Sequence, residues 1–326
     1  MPARDTAPFE RAPAEEGSPG GDTASREDAG LPWISIIVPT YQRPRELAVC
    51  LAALAALDYP VDRYEVVVVD DGSEPPATPS GANARRDLRV TWLRQPNRGP
   101  SAARNLGARH ACGEVLAFTD DDCAPARGWL RALAASVRVA PGALHGGTVV
   151  NGLAHNAWAV ASQTITDVVV PSLLASVSPL RFVTSNNLAL RAERFAAIGG
   201  FDEGFRASED REFAHRWLAS GAPIAEVPGA VVQHLHDLGL VSYWRQHFGY
   251  GRGAYAFHRR RAVQVRAPFN PNLGLVAETF RRPFATLPMR SALRIAALLV
   301  VWQVANAAGY LWQGIVGDRS HAKPPS

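Results

Sequence analysis

Short apolar, largely β-branched runs alternate with helical segments, and several of these runs end in acidic or polar clusters. No other feature constrains this chain so strongly. The runs are ISIIV from Ile34, YEVVVVD from Tyr64, VTWL from Val90 and EVLAF from Glu114. Such brief runs suit strands buried on both faces. After the first comes RPRELAVCLAALAAL, with Pro44 fit for a first helical turn and Leu47, Leu51 and Leu54 on one face. SAARNLGARHA, before the fourth, reads as a second helix. This alternation predicts an α/β fold, a mostly parallel sheet flanked by helices, whose ligands bind at the carboxyl ends of the strands.

Further along, RGWLRALAASVRV reads as a helix, FVTSNNLAL as a strand and RAERFAAIGGF as a short helix with a glycine turn. SEDREFAHRWLASG reads as a helix closed by Gly221, and AEVPGAVVQHLH as a last strand. The expected division is a disordered tail over 1–30, a catalytic domain over 31–238 and a basic helical extension over 239–326. The tail holds seven acids against three arginines and has no apolar stretch of the kind a signal peptide needs. Residues 240–290 read as a basic, proline-containing tail, and residues 295–316 form 22 positions without a charge. That last segment is long enough to cross a bilayer, although Gln303, Asn306 and Gln313 weaken it as a span. Trp302, Tyr310 and Trp312 suit an interface, and burial within the protein or in a homodimer is the alternative.

Charge and cysteine content exclude several function classes. The net charge of +4 hides a local excess of nine arginines over one acid between Arg252 and Arg294, so general nucleic-acid binding is not expected. Three cysteines without CxxC spacing argue against a disulfide framework or a zinc site and suit a reducing cytoplasm. GxGxxG is missing after the first strand, which removes the dinucleotide-cofactor reading.

The candidate site residues cluster at strand ends. Asp120, Asp121 and Asp122 follow the fourth strand directly. If that segment is extended, Asp120 and Asp122 face one crevice, a pair of hard oxygen donors suited to Mn²⁺ or Mg²⁺. Pro39, Thr40, Tyr41 and Arg43 follow the first strand, and Asp70 and Asp71 the second. In NRGPSAARNLG, Arg104 and Asn105 lie near a helix start that favours an anionic ligand. Glu209 and Asp210 sit at another helix start, where a carboxylate can serve as a general base. His234 and His236, two apart on the last strand, are further candidate metal ligands.

Taken in order, SIIVPTYQRPRELAVCLAAL, VVVVDDGS, NRGPSAARNLGA, GEVLAFTDDDC, SNNLALRAERFAAIGGFDE and SEDREFAHR resemble the family 2 glycosyltransferases over about Ile34 to His236. The resemblance implies the GT-A fold and transfer of a sugar from a nucleotide-diphosphate sugar to an acceptor hydroxyl with inversion. It implies that Thr40, Tyr41, Asp70, Asp71 and Arg104 hold the nucleoside, with Pro39, Arg43, Asn105, Asp121, Asn187 and Gly200 in the same donor site. Asp120 and Asp122 match the family's DxD, which binds Mn²⁺ or Mg²⁺ on the donor diphosphate. Asp210 matches the base, with Glu209 its neighbour. An aspartate at the middle of the DxD leaves open which two of the three coordinate. The QxxRW signature of processive synthases is absent, so single-sugar transfer is expected. A non-catalytic nucleotide-sugar-binding subunit and a nucleotidyltransferase are the rival readings. The acceptor expected is a cell-surface glycan or a lipid-linked molecule, met in the cytoplasm or at the inner face of the cell membrane.

Overall fold

The computed structural model describes residues 30–78, 88–176, 179–265 and 272–319. The acidic stretch read as a disordered tail falls, except for Gly30, outside these residues. The chain divides into two units, one formed by 1–150, 183–203 and 213–234, the other by 151–182, 204–212 and 235–326.

The first unit is built on an eight-stranded sheet. Its parallel half comprises β1 (Ile34–Thr40), β2 (Tyr64–Asp70), β3 (Val90–Arg94) and β4 (Val115–Phe118). β1 pairs with both β2 and β4, placing Thr40 opposite Asp70 and Ile37 opposite Phe118. The strands β1, β2 and β4 are buried throughout, which explains their uninterrupted apolar sequence. The other half is antiparallel: β5 (Cys123–Pro125), β6 (Leu144–Asn151), β7 (Leu188–Arg191) and β8 (Ile224–His234) complete the order β3-β2-β1-β4-β7-β6-β8-β5. The expectation of a mostly parallel sheet is therefore corrected to a mixed one. A buried strand reads the same whichever way its neighbour runs.

Helices α1 (Pro44–Ala55), α2 (Pro100–His110) and α3 (Trp129–Val139) follow the expected boundaries closely. Leu47, Leu51 and Leu54 of α1 and Trp129, Leu130 and Leu133 of α3 pack with Ile34, Ile36, Val66 and Val68 in one core. α5 (Ala192–Ala197) places Phe195 against Phe118 and Phe201, at ring-centroid distances of 5.3 and 5.6 Å. Residues 182–187, read as part of a strand, are outside β7.

The second unit is helical. Its helices are α4 (Ala157–Leu174), the first turn of α6 (Glu209–Ala219), α7 (Leu240–Val265), α8 (Leu273–Thr286) and α9 (Met289–Arg319). Ala161, Leu238, Tyr243, Ile295 and Leu299 form its core. The basic extension, expected to be helical, forms α7 and α8 over the described part of 240–290. Gly251 of α7 and Gly309 of α9 lie against the backbone oxygens of Asn306 and Phe248, leaving no room for a Cβ. Glycine is poor in an isolated helix, and here close packing of α7 on α9 overrides that propensity.

His247 of α7 is buried, with its ring centroid 4.3 Å from that of Tyr243, and burial pushes its pKa down to about 4. An unfolded histidine titrates near 6.5, so between about 6.5 and 4 the unfolded chain binds the extra proton. Stability contributed by the neutral imidazole is present above that window and is lost as pH falls through it, by roughly 3 kcal/mol at most. Thermal melts should therefore drop across this range, and His247→Gln should flatten the drop.

Candidate active site

The site begins where β4 ends. Asp120, Asp121 and Asp122 do not continue an extended strand. They form a turn, closed by the Cys123 N–H donating to the Asp120 carbonyl at 3.1 Å. The extended alternation expected from sequence is corrected: the three carboxylates diverge, and each has its own partner. Adjacent like charges in a tight turn are tolerable only with such counter-groups.

Arg104 of α2, buried beneath the turn, donates from Nη2 to Asp120 Oδ1 at 2.6 Å. Asp121 is directed at the end of β1, where Thr40 Oγ1 donates to its Oδ2 at 2.7 Å. Arg43 bridges the other two: Nη1 lies 2.7 Å from Asp122 Oδ2 and 3.3 Å from Asp121 Oδ1. Burial lifts the Asp121 carboxyl to about 7, with Arg43 pulling it down and Asp122 pushing it up. The aspartates in turn hold the Arg43 guanidinium well above its usual range, against the opposing effect of burial.

His234, the last residue of β8, reaches Asp122 Oδ1 with Nε2 at 3.3 Å. The backbone dictates this approach, since β5 pairs with β8 and sets Cys123 opposite His234. Burial lowers the His234 pKa, but the nearby Asp122 carboxylate outweighs it and the net direction is upward. Because β8 ends at His234, the common strand face expected for His234 and His236 is not formed, and His236 belongs to the second unit.

Ligand atoms of Asp122, Cys123 and His234 lie within 4.8 Å of one another. The sequence reading missed Cys123. Its buried thiol is pushed well above the ordinary cysteine range by burial and by Asp122, and its Sγ donates to Asp122 Oδ1 at 3.8 Å. A thiol held protonated orients the carboxylate and is a poor metal ligand. The donors left, carboxylate oxygens and an imidazole nitrogen, fit a hard divalent ion such as Mn²⁺ or Mg²⁺.

At the end of β2, Asp70 accepts from the N–H groups of Ser73 and Ala77 at 2.9 and 3.2 Å. Asp71 accepts from Gln95 Nε2 at 2.7 Å and from the N–H groups of Arg98 and Gly99 at 2.9 Å each. Gly72 between these loops has φ +87°, and a Cβ there would come within 2.9 Å of Asn97 N. Asp70 therefore braces the loop after β2, and Asp71 ties that loop to the one before α2. Gln95 was not legible as a partner. Pro39 lies within β1, and Tyr41 just beyond it is 46% exposed, open to a ligand as Thr40 is not.

Three residues expected in the donor site also have structural partners. Asn187 donates to the Thr148 and Ala230 carbonyls at 3.0 and 2.8 Å and accepts from Trp129 Nε1 at 2.9 Å. Its amide N–H groups are thus committed to β6 and β8, and its Oδ1 to α3. Asn105 clasps Phe201, its Nδ2 donating to the carbonyl at 2.8 Å and its Oδ1 accepting from the N–H at 2.9 Å. Gly200, with φ +66°, sits under that amide, where a Cβ would be 2.6 Å from Asn105 Oδ1. Glu209 and Asp210 open α6 after Ser208, whose φ is 63°. Glu209 is buried, and Asp210 Oδ1 accepts from the Arg211 N–H at 2.8 Å. They lie with His236 in the second unit.

Against known proteins, the model of the family described as "Glycosyl transferase family 2" matches residues 35–188, which hold the parallel half of the sheet and the aspartate turn. The chain carries a family 2 glycosyltransferase domain. Glycosyltransferase AglE of Haloferax volcanii is 36% identical over 103 residues, 31% of this chain and 34% of that protein. The pre-mycofactocin glycosyltransferase of Mycobacterium tuberculosis is 28% identical over 229 residues, 68% of this chain and 46% of that protein. The chain thus spans less than half the length of these two curated relatives. Among solved structures, a mannosyltransferase from Pyrobaculum calidifontis in complex with GDP-Man and Mn²⁺ superposes with a TM-score of 0.60 at 21% identity. That likeness covers 91% of this chain and 89% of the other and establishes the GT-A fold of this glycosyltransferase domain.

Proposed function

We propose that this family 2 glycosyltransferase moves a single sugar from a nucleotide-diphosphate sugar to an acceptor hydroxyl by one inverting displacement. The observation that carries the reading is the Asp122–His234 pair, 3.3 Å apart, just beyond the carboxyl end of β4. Its donor chemistry fits Mn²⁺ or Mg²⁺, and the mannosyltransferase of the same fold was solved with Mn²⁺ and a nucleotide sugar. A divalent ion there would act as Lewis acid toward the departing diphosphate.

The chain's own residues divide the remaining work. Asp122 and His234 would hold the ion, and Asp120, kept in place by Arg104, would offer a further carboxylate. Arg43 offsets the carboxylate charge and, half exposed as it is, would be available to pair with the donor diphosphate. Tyr41 and the loop fixed by Asp70 and Asp71 border the nucleoside. Asp210 accepts the acceptor's proton, and Glu209 steadies the same helix start. The acceptor is a cell-surface glycan or a lipid-linked molecule. We assign the protein to the cytoplasm, where its three free cysteines stay reduced.

The test is incubation of purified protein with Mn²⁺, an acceptor mixture and a panel of nucleotide sugars. Release of nucleoside diphosphate is the expected result. Release of pyrophosphate would replace the reading with nucleotidyl transfer, and donor-dependent thermal stabilisation without any release would make the chain a binding subunit.

A further inference from the structure

Helix α9 has two faces of opposite character. Ala292, Ile295, Leu299 and Ala305 are buried within the second unit. On the other side Met289, Leu293, Val300, Val304, Leu311 and Ile315 recur at helical spacing with exposures between 52% and 66%. Exposed Ala297 and Ala307 fill the intervals, so the apolar stripe runs about 39 Å along the helix. Exposed Arg290 and Arg294 flank its first two turns, and exposed Trp312 lies five turns beyond Arg294 on the same side. From Met289 to Val316 α9 has no acid. The preceding α8 adds Arg281 and Arg282 against a single acid, Glu278, which Arg281 already pairs at 2.8 Å.

By length and composition α9 could cross a bilayer. Its partner excludes that. α9 is packed on α7 from Tyr243, whose hydroxyl donates to the Leu298 carbonyl at 3.3 Å, to Tyr255, which meets Tyr310 at a ring distance of 5.2 Å. Between those contacts α7 carries Arg245 and Arg252, and Arg252 Nε donates to Gln313 Oε1 at 2.8 Å. Threading α9 through hydrocarbon would carry these charged arginines into the apolar layer with it, or strip α9 from its packed face.

We propose that α9 lies in the plane of an anionic phospholipid surface, its stripe at the headgroup–acyl boundary and Arg290 and Arg294 on lipid phosphates. A second copy of the chain is the poorer occupant, since α9 offers these arginines no acid between Met289 and Val316. The inference is independent of the transfer chemistry.

The test sediments the full chain with phosphatidylcholine vesicles, with and without phosphatidylglycerol. Expected are binding to the anionic vesicles, weakening with salt, and release by alkaline carbonate. The double variant Val300→Glu/Val304→Glu should lose at least about tenfold in binding with an unchanged thermal melt, because both positions are exposed. Arg290→Glu/Arg294→Glu should lose as much without touching the stripe. Native protein that stays in the supernatant, resists carbonate, or forms a dimer that Val300→Glu/Val304→Glu dissociates would overturn the proposal. Donor hydrolysis without vesicles should be alike in all variants, so failure of lipid binding and failure of the transfer reading are seen separately.

Discussion

Asp122→Asn is expected to weaken Mn²⁺ binding by at least about 100-fold, with sugar transfer falling in proportion. The carboxylate of Asp122 meets His234 Nε2 on one oxygen and Arg43 Nη1 on the other, so it is the point at which the site's cationic groups converge. Asparagine keeps the shape of the side chain but removes the charge, and circular dichroism should be unchanged. Asp121→Asn is the paired measurement. Asp121 is turned toward Thr40, and with its pKa raised to about 7 it is only partly ionised at neutral pH, which makes it a weak ligand. Its amide variant should bind Mn²⁺ within a few-fold of native, on the order of 1 kcal/mol or less. Mn²⁺ titration by electron paramagnetic resonance reads both variants. A reversed ranking, with Asp121→Asn losing the ion and Asp122→Asn keeping it, would move the coordinating role to the inner carboxylate and undo the assignment made for His234.

Legibility in the sequence followed whether a residue's role is local. The strands β1, β2 and β4 and the helices α1 and α2 could be read because burial on both faces, a proline at the first helical turn and leucines on one face leave local traces. β6 was missed because LHGGTVVN carries two glycines where a strand pattern expects side chains; Gly147 is needed there to pass Asn187. α4 was missed for the opposite reason, being apolar almost all round with little facial contrast. α8 contains Pro283 and was read as tail, although the helix continues through it. In the site, the aspartates announced themselves by crowding. Their division of labour did not, since it depends on Arg43, Arg104 and His234 arriving from three other elements. Asn187 and Asn105 sit inside family motifs as firmly as any ligand would, and only their hydrogen-bond partners, 39 to 96 positions away, reveal that they hold loops together.

Asp210→Asn is expected to lower turnover by about 10²–10⁴-fold while leaving the dissociation constant for the donor unchanged. Asp210 lies in the first turn of α6, where the helix dipole favours negative charge, and its Oδ1 accepts from the Arg211 N–H at 2.8 Å. Its neighbours differ. Glu209 and Glu212 are both buried, Glu212 within 3.6 Å of Arg260, whereas Asp210 is only partly covered and so is the first-turn acid best able to meet an incoming hydroxyl. Glu209→Gln should accordingly act through the helix start, lowering thermal stability along with turnover. Donor affinity by calorimetry and single-turnover rates on the two amide variants separate the cases. Equal loss of donor affinity and turnover in Asp210→Asn would make Asp210 a donor ligand, and undiminished turnover would leave the proton with another base. A base acting alone also predicts that Asp210→Asn, measured at saturating Mn²⁺ so that the protons lost by the metal-holding groups do not enter, loses its own contribution to the acidic limb of the pH–rate profile.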